Sequence, residues 1–132
     1  MWCTSYEPSD LELMHEDGNR EIEQLSNDAF ILKDTYQRGS KSISKTKLVR
    51  LHPGEFFWTN THIDGPNKYS QFLYKIVPEG RNVSRLEFTG LQLEPEEMTR
   101  NDASAFARRV RKEDSTSWKH LAKAMEKELL GV

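Results

Sequence analysis

The side chains able to do chemistry are few and scattered. Histidines stand at 15, 52, 62 and 120, and the one cysteine is Cys3. His62-Ile63-Asp64 offers two ligands to a metal, but a site needs three or four, and no others are near in sequence. The spacing predicts a solvated loop there and no metal. Asp34 and Tyr36 share a strand face with Phe30 and Leu32. A carboxylate buried in a cleft can serve as a general base, whereas one near a strand end is solvated, and the solvated state is the expectation for Asp34. The chain has no Gly-rich phosphate loop, no Ser-His-Asp ordering and no nucleophile context around Cys3. No catalytic residue and no cofactor is assigned.

Arg38, Lys41, Lys45, Lys47 and Arg50, with Arg100, Arg108, Arg109, Arg111 and Lys112, form a basic set. Its helical part is interleaved with Glu and Asp, and no stacking platform for bases accompanies it. The pattern predicts a solvated face and no nucleic-acid partner. A net charge of −2 gives no global attraction to nucleic acid or membrane. With 132 residues, 36% hydrophobic and 10% aromatic, the chain suits one domain with one core, spanning 1–132. One cysteine allows no intrachain disulfide and fits a reducing cytoplasm. The first residues lack the pattern of a signal peptide, no run reaches the length of a membrane span, and Asn82-Val83-Ser84 is a chance glycosylation triplet.

The elements that must position these residues follow from period and turn signals. "SDLELMHE" is a short helical candidate with Ser9 as N-cap and Leu11, Leu13 and Met14 as its apolar positions. About six strands fill 19–94, separated by short turns such as "SND", "RGS", "HPG" and "PEGRN", which predicts an antiparallel meander. Within it, "EFFWTNTH" is a strand, "IDGPNK" a loop and "YSQFLYKIV" the return strand. From 96 to 130 the period becomes helical, with Trp118, Leu121, Ala122, Met125 and Leu129 on one stripe. A single helix over that span would be about 50 Å long. Asp114, Ser115 or Thr116 offers a fresh N-cap, so a break is expected there, with a final helix over 116–130.

The aromatic run Phe56-Phe57-Trp58 needs explanation, because neighbouring residues on a strand face opposite sides. Phe72, Tyr74 and Ile76 oppose Gln71, Leu73 and Lys75, and Leu86 and Phe88 oppose charged neighbours. These alternations predict one concave apolar face with an amphipathic helix to lie across it. The parity of the 55–62 strand stays open between Trp58 and the alternative of Phe57 with Thr59 pointing inward.

The strand series carrying "EFFWTNT", "GPNKYSQFLYKIVPEG" and "SRLEFTGLQLEP", followed by the helix around "SWKHLAKAMEKEL", resembles the START-like superfamily of helix-grip proteins, also called the polyketide cyclase (SRPBCC) or Bet v-type fold. The resemblance implies an α+β fold in which a curved antiparallel sheet grips a long C-terminal helix. It also implies a cavity for apolar or amphipathic small molecules, lipid-like or polyketide-like. The family opens with a strand and two short helices. Here residues 1–18 form a shortened N-terminal element, which predicts either mobility there or a homodimer through an uncovered sheet edge. The candidate ligand-binding residues are Tyr36, Trp58, Phe72, Tyr74, Leu86, Phe88, Trp118, Leu121 and Met125. Simple mutual packing is the alternative for each. The expected role is carrier, sensor or chaperone. A cyclase or hydrolase using a pocket acid such as Asp34 is one alternative, and a protein-interaction adaptor with outward aromatics (Tyr69, Phe57 or Trp58) is another.

Overall fold

The computed structural model describes residues 5–131. The expectations placed on Trp2 as the start of a clipped first strand and on Cys3 lie outside the described residues. The order is α1 (Asp10–Leu13), β1 (Gly18–Ser26), β2 (Ala29–Arg38), β3 (Lys41–His52), a 3-10 turn (Pro53–Glu55), β4 (Phe57–Asp64), β5 (Gln71–Gly80), β6 (Val83–Leu91) and α2 (Arg100–Leu130). The strands pair in sequence order as one six-stranded antiparallel sheet. The sheet is curved and open, and α2 follows it, giving an α+β arrangement. Short turns leave no room for crossovers, so each strand pairs with its predecessor.

Register fixes what faces α2. Leu32, Val49 and Trp58 are fully buried, and Phe30 nearly so, forming the core cluster. Trp58 pairs with Leu51 on one side and Tyr74 on the other, and Tyr74 with Phe88. The Trp58 indole stacks on Tyr74 at 5.3 Å between centroids, and its Nε1 donates to the Tyr6 hydroxyl at 2.9 Å.

The three consecutive aromatics have three different fates. Phe56 ends the 3-10 turn in the left-handed region, φ 56°, and is exposed. Phe57 lies on the opposite face and stacks on His52 at 4.3 Å. Trp58 points inward, which closes the parity question in its favour. The predicted loop at 63–68 begins later than expected, since Ile63 and Asp64 still belong to β4.

The C-terminal helix does not break at 114–116. It is continuous for 31 residues, about 46 Å, from an N-cap at Thr99 to a left-handed Gly131. The Thr99 hydroxyl accepts from the Asp102 amide at 3.1 Å. Inside the helix the Thr116 hydroxyl donates back to the Lys112 carbonyl at 2.9 Å, satisfying within the helix the group expected to cap a new one. The length needs no full cover. Only one stripe, Phe106, Val110, Asp114, Trp118, Leu121 and Met125, turns toward the protein, and of these only Leu121 is buried, the rest half-buried.

Candidate functional site

The concave face is not uniformly apolar. At the β1–β3 end it carries charge, because Arg20 pairs with Asp34 across β1–β2, Asp34 with Lys45 and Leu32 with Lys47 across β2–β3, and Lys47 with His62 across β3–β4. Alternation then sends Arg20, Asp34, Tyr36, Lys45, Lys47, Asn60 and His62 to the same side as the core residues.

Asp34 is the hub. Its side chain is fully buried and accepts from Arg20 through both oxygens, at 2.7 and 2.8 Å. It also accepts from the Tyr36 hydroxyl at 3.0 Å and the Lys47 ammonium at 2.9 Å. Lys47 donates in turn to the Tyr36 oxygen at 2.8 Å, and Arg20 reaches Asp10 of α1 at 3.3 Å. Burial alone would raise the Asp34 carboxyl, but its hydrogen bonds and the charges of Arg20 and Lys47 hold it down at about 2. The expectation of a solvated Asp34 is therefore overturned. A carboxylate this acidic, with four donors on it, is a poor proton acceptor; its role is counter-ion to two buried cations. Burial and the Asp34 charge keep the Tyr36 phenol protonated.

Beside this cluster, between the sheet and α2, lies a cavity of about 280 Å³. Its polar wall holds Arg20, Arg38, Lys45 and Lys47 against Asp10, Glu16, Glu113 and Asp114, with Asp34 buried behind Arg20 and Lys47, so opposite charges on the wall balance. Its apolar wall is Phe72, Tyr74, Trp118 and Leu121. Trp118 meets Tyr74 at 5.2 Å and Trp58 at 6.1 Å between centroids. The cavity joins a wider, more open groove of about 1070 Å³ between β6 and the first half of α2, since Phe72, Gln92, Val110 and Asp114 border both. Gly90, opposite Phe72 in the register, makes that junction. A Cβ at Gly90 would lie 2.5 Å from the Phe72 ring.

Two side chains on the cavity wall are buried without full hydrogen bonding. Asn60 is 8% exposed and His62 7%, and Asn60 Oδ1 and His62 Nδ1 have no hydrogen-bond partner among the described residues. Burial, reinforced by the charges of Lys47 and Lys45, pushes the His62 imidazole down to about 4, so it is neutral near pH 7. Burial raises Asp114 on α2, with Glu113 adding to it, against the pull of Lys45 and Lys47. At the α1 end His15 stacks on His120 at 4.0 Å, tying α1 to α2.

Of the nine residues expected to line a site, Tyr36, Phe72, Tyr74, Trp118 and Leu121 border the cavity, and Phe72, Leu86 and Phe88 border the groove. Trp58 borders neither because it is sealed in the core beneath Tyr74; half-buried Met125 lies one turn beyond Leu121 on α2 and also borders neither. The expectation that His62 sits in a solvated loop fails, because one more strand pair with Lys47 carries it inside. Lys45 and Lys47 likewise leave the predicted solvated basic face. Sequence reasoning missed Arg20, Asn60, Asp114 and the roles of Lys47 and His62. The signal was present: Arg20 shares strand parity with Ile22, Lys47 with Val49, and Asn60 and His62 with Trp58.

Among the described residues no group of three or more His, Cys, Asp or Glu side chains is placed to hold a metal ion, and no helix is long and apolar enough to cross a membrane. No family model, no curated protein and no solved structure matches the chain.

Proposed function

We propose that this chain binds an apolar or amphipathic small molecule between the sheet and α2, acting as a carrier, sensor or chaperone for it. The observation that carries the reading is a cavity of about 280 Å³ with an aromatic wall on one side and two buried, incompletely bonded polar side chains on the other. A plain core would close over Phe72, Tyr74 and Trp118, because apolar surface gains about 25 cal/mol per Å² when it is removed from water. The volume approaches the lower end of small-molecule sites, roughly 300 Å³, and the adjoining groove gives a longer ligand room to extend. The order of six strands then a terminal helix supports placing the chain, as part of the same proposal, with the START-like helix-grip proteins in a form with a shortened N-terminus. A reducing, cytoplasmic setting and a dimer through the open edges of β1 and β6 complete it; exposed Val83 and Leu91 on β6 are the edge residues such a dimer would cover.

The test is a titration with a naphthalene dye, read through tryptophan emission. The reading requires a saturable change that is largely lost in Trp118→Phe, since Trp118 carries the one indole among the described residues that borders the cavity. No saturable change at any soluble dye concentration would refute it.

A further inference from the structure

We propose that the ligand of this cavity is uncharged and presents a hydroxyl group to Asn60 and His62, rather than a carboxylate or phosphate to the lysines. The inference rests on the binding reading above and specifies its polar end.

Three observations carry it. First, Asn60 Oδ1 is an acceptor, nine-tenths buried, on the cavity wall, and has no donor among the described residues. Only a group that donates, on a ligand or a water, can satisfy it. A carboxylate has no proton to give and would set a second acceptor against the first. Secondly, His62 Nδ1 is in the same condition, on a residue two places along β4 and on the same face, the two Cα atoms about 7 Å apart. A neutral imidazole has one donor and one acceptor nitrogen. A hydroxyl both donates and accepts, so it pairs with either tautomer of His62. Thirdly, three of the four cations on the wall are already ion-paired, and the fourth, Lys45, lies against the Tyr36 ring within the field of Glu94 and Asp114. Arg20 and Lys47 are bonded to Asp34 and Arg38 to Glu16, and four acidic side chains share the wall with four basic ones. An anion entering there would meet as many carboxylates as cations, and burial would strip its water with Lys45 alone left to pair it. Beyond this polar end, Phe72, Tyr74 and Trp118 present ring faces and edges to a flat or cyclic body. The chemical class is therefore a hydroxylated ring compound, phenolic or alicyclic.

Three probes of one shape test this: naphthalene, 2-naphthol and 2-naphthoate, each measured by equilibrium dialysis at neutral pH against the intact protein. Naphthol is expected to bind about tenfold more tightly than naphthalene, one buried hydrogen bond's worth, and naphthoate more weakly than naphthol. In Asn60→Leu with native circular dichroism, naphthol should lose most of its advantage while naphthalene binding holds. If that variant does not fold, the ranking of the three probes on the unmodified protein decides. Naphthoate binding as tightly as naphthol would overturn the inference by showing an anionic anchor. Naphthol no better than naphthalene would overturn it by showing that water serves Asn60 and His62 equally well. Either result leaves the binding reading standing. Failure of all three probes would remove the binding reading, and the inference with it.

Discussion

Acidification through the range between pH 6.5 and pH 4 should destabilise the ligand-free protein through His62. Its imidazole is 7% exposed, faces Lys47 and Lys45, and is held at about 4 against an ordinary value of 6.5. Because the folded-state value lies below the unfolded one, the unfolded chain binds more protons in that interval. The contribution is fully present above pH 6.5 and is lost as pH falls toward 4. The full interval corresponds to about 3 kcal/mol, and the step from neutral pH to pH 5 to about 2 kcal/mol. Other groups act in the opposite direction. Asp10 and Asp114 are raised mainly by burial, so the folded state takes up their protons more readily and gains stability as pH falls. The assay is therefore a difference. Urea unfolding followed by circular dichroism is run at neutral pH and at pH 5 on the native protein and on His62→Gln, which keeps a neutral polar side chain but cannot titrate. The native protein should lose about 2 kcal/mol more than the variant over that step. Equal losses in the two proteins would refute the argument that His62 is buried beside two cations.

Asp34→Asn removes the carboxylate but keeps its shape, leaving Arg20 and Lys47 buried without their counter-ion. It should cost about 3–5 kcal/mol in chemical denaturation, and a loss below about 1 kcal/mol would mean the cluster is solvated. Gly90→Ala places a methyl 2.5 Å from the Phe72 ring, so the ring must shift toward the cavity. It should lower stability by about 1–3 kcal/mol and weaken dye binding; unchanged affinity would show that Phe72 does not border the binding space. Hydrogen exchange should find no fast-exchanging gap at the amides of 113–116 relative to the neighbouring turns, and a local opening there would contradict the continuous α2.

The strand series was legible because turns such as "RGS" and "PEGRN" interrupt alternating segments, and the alternation alone placed Phe72, Tyr74, Leu86 and Phe88 on one face. Trp118 and Leu121 were legible as the inward stripe of a helix. The continuity of α2 was not, because a threonine after acidic residues serves equally as an N-cap or as a donor to the carbonyl four residues back. The wider fold makes that choice, with Asp114 and Trp118 turned toward the cavity. The polar half of the site was hidden for another reason. Arg20, Asp34 and Lys47 share the parity of apolar residues in their own strands, but a lone charged side chain there reads as solvated. They become a buried cluster only when registers across β1, β2 and β3 bring them together. His62 was misplaced because the predicted strand ended on it, which set the imidazole at the mouth of a solvated loop, whereas β4 runs on to Asp64.

The central claim, a ligand site between the sheet and α2, is tested most directly by a two-dimensional amide and side-chain NMR titration with 2-naphthol. The account predicts saturable shifts centred on the Asn60 side-chain amide, the Trp118 indole N–H and the backbone amides of His62, Phe72 and Tyr74, with the exposed end of α2 near Leu129 unmoved. Shifts confined to the outer face around His52 and Phe57, or no saturable shifts at all, would contradict it.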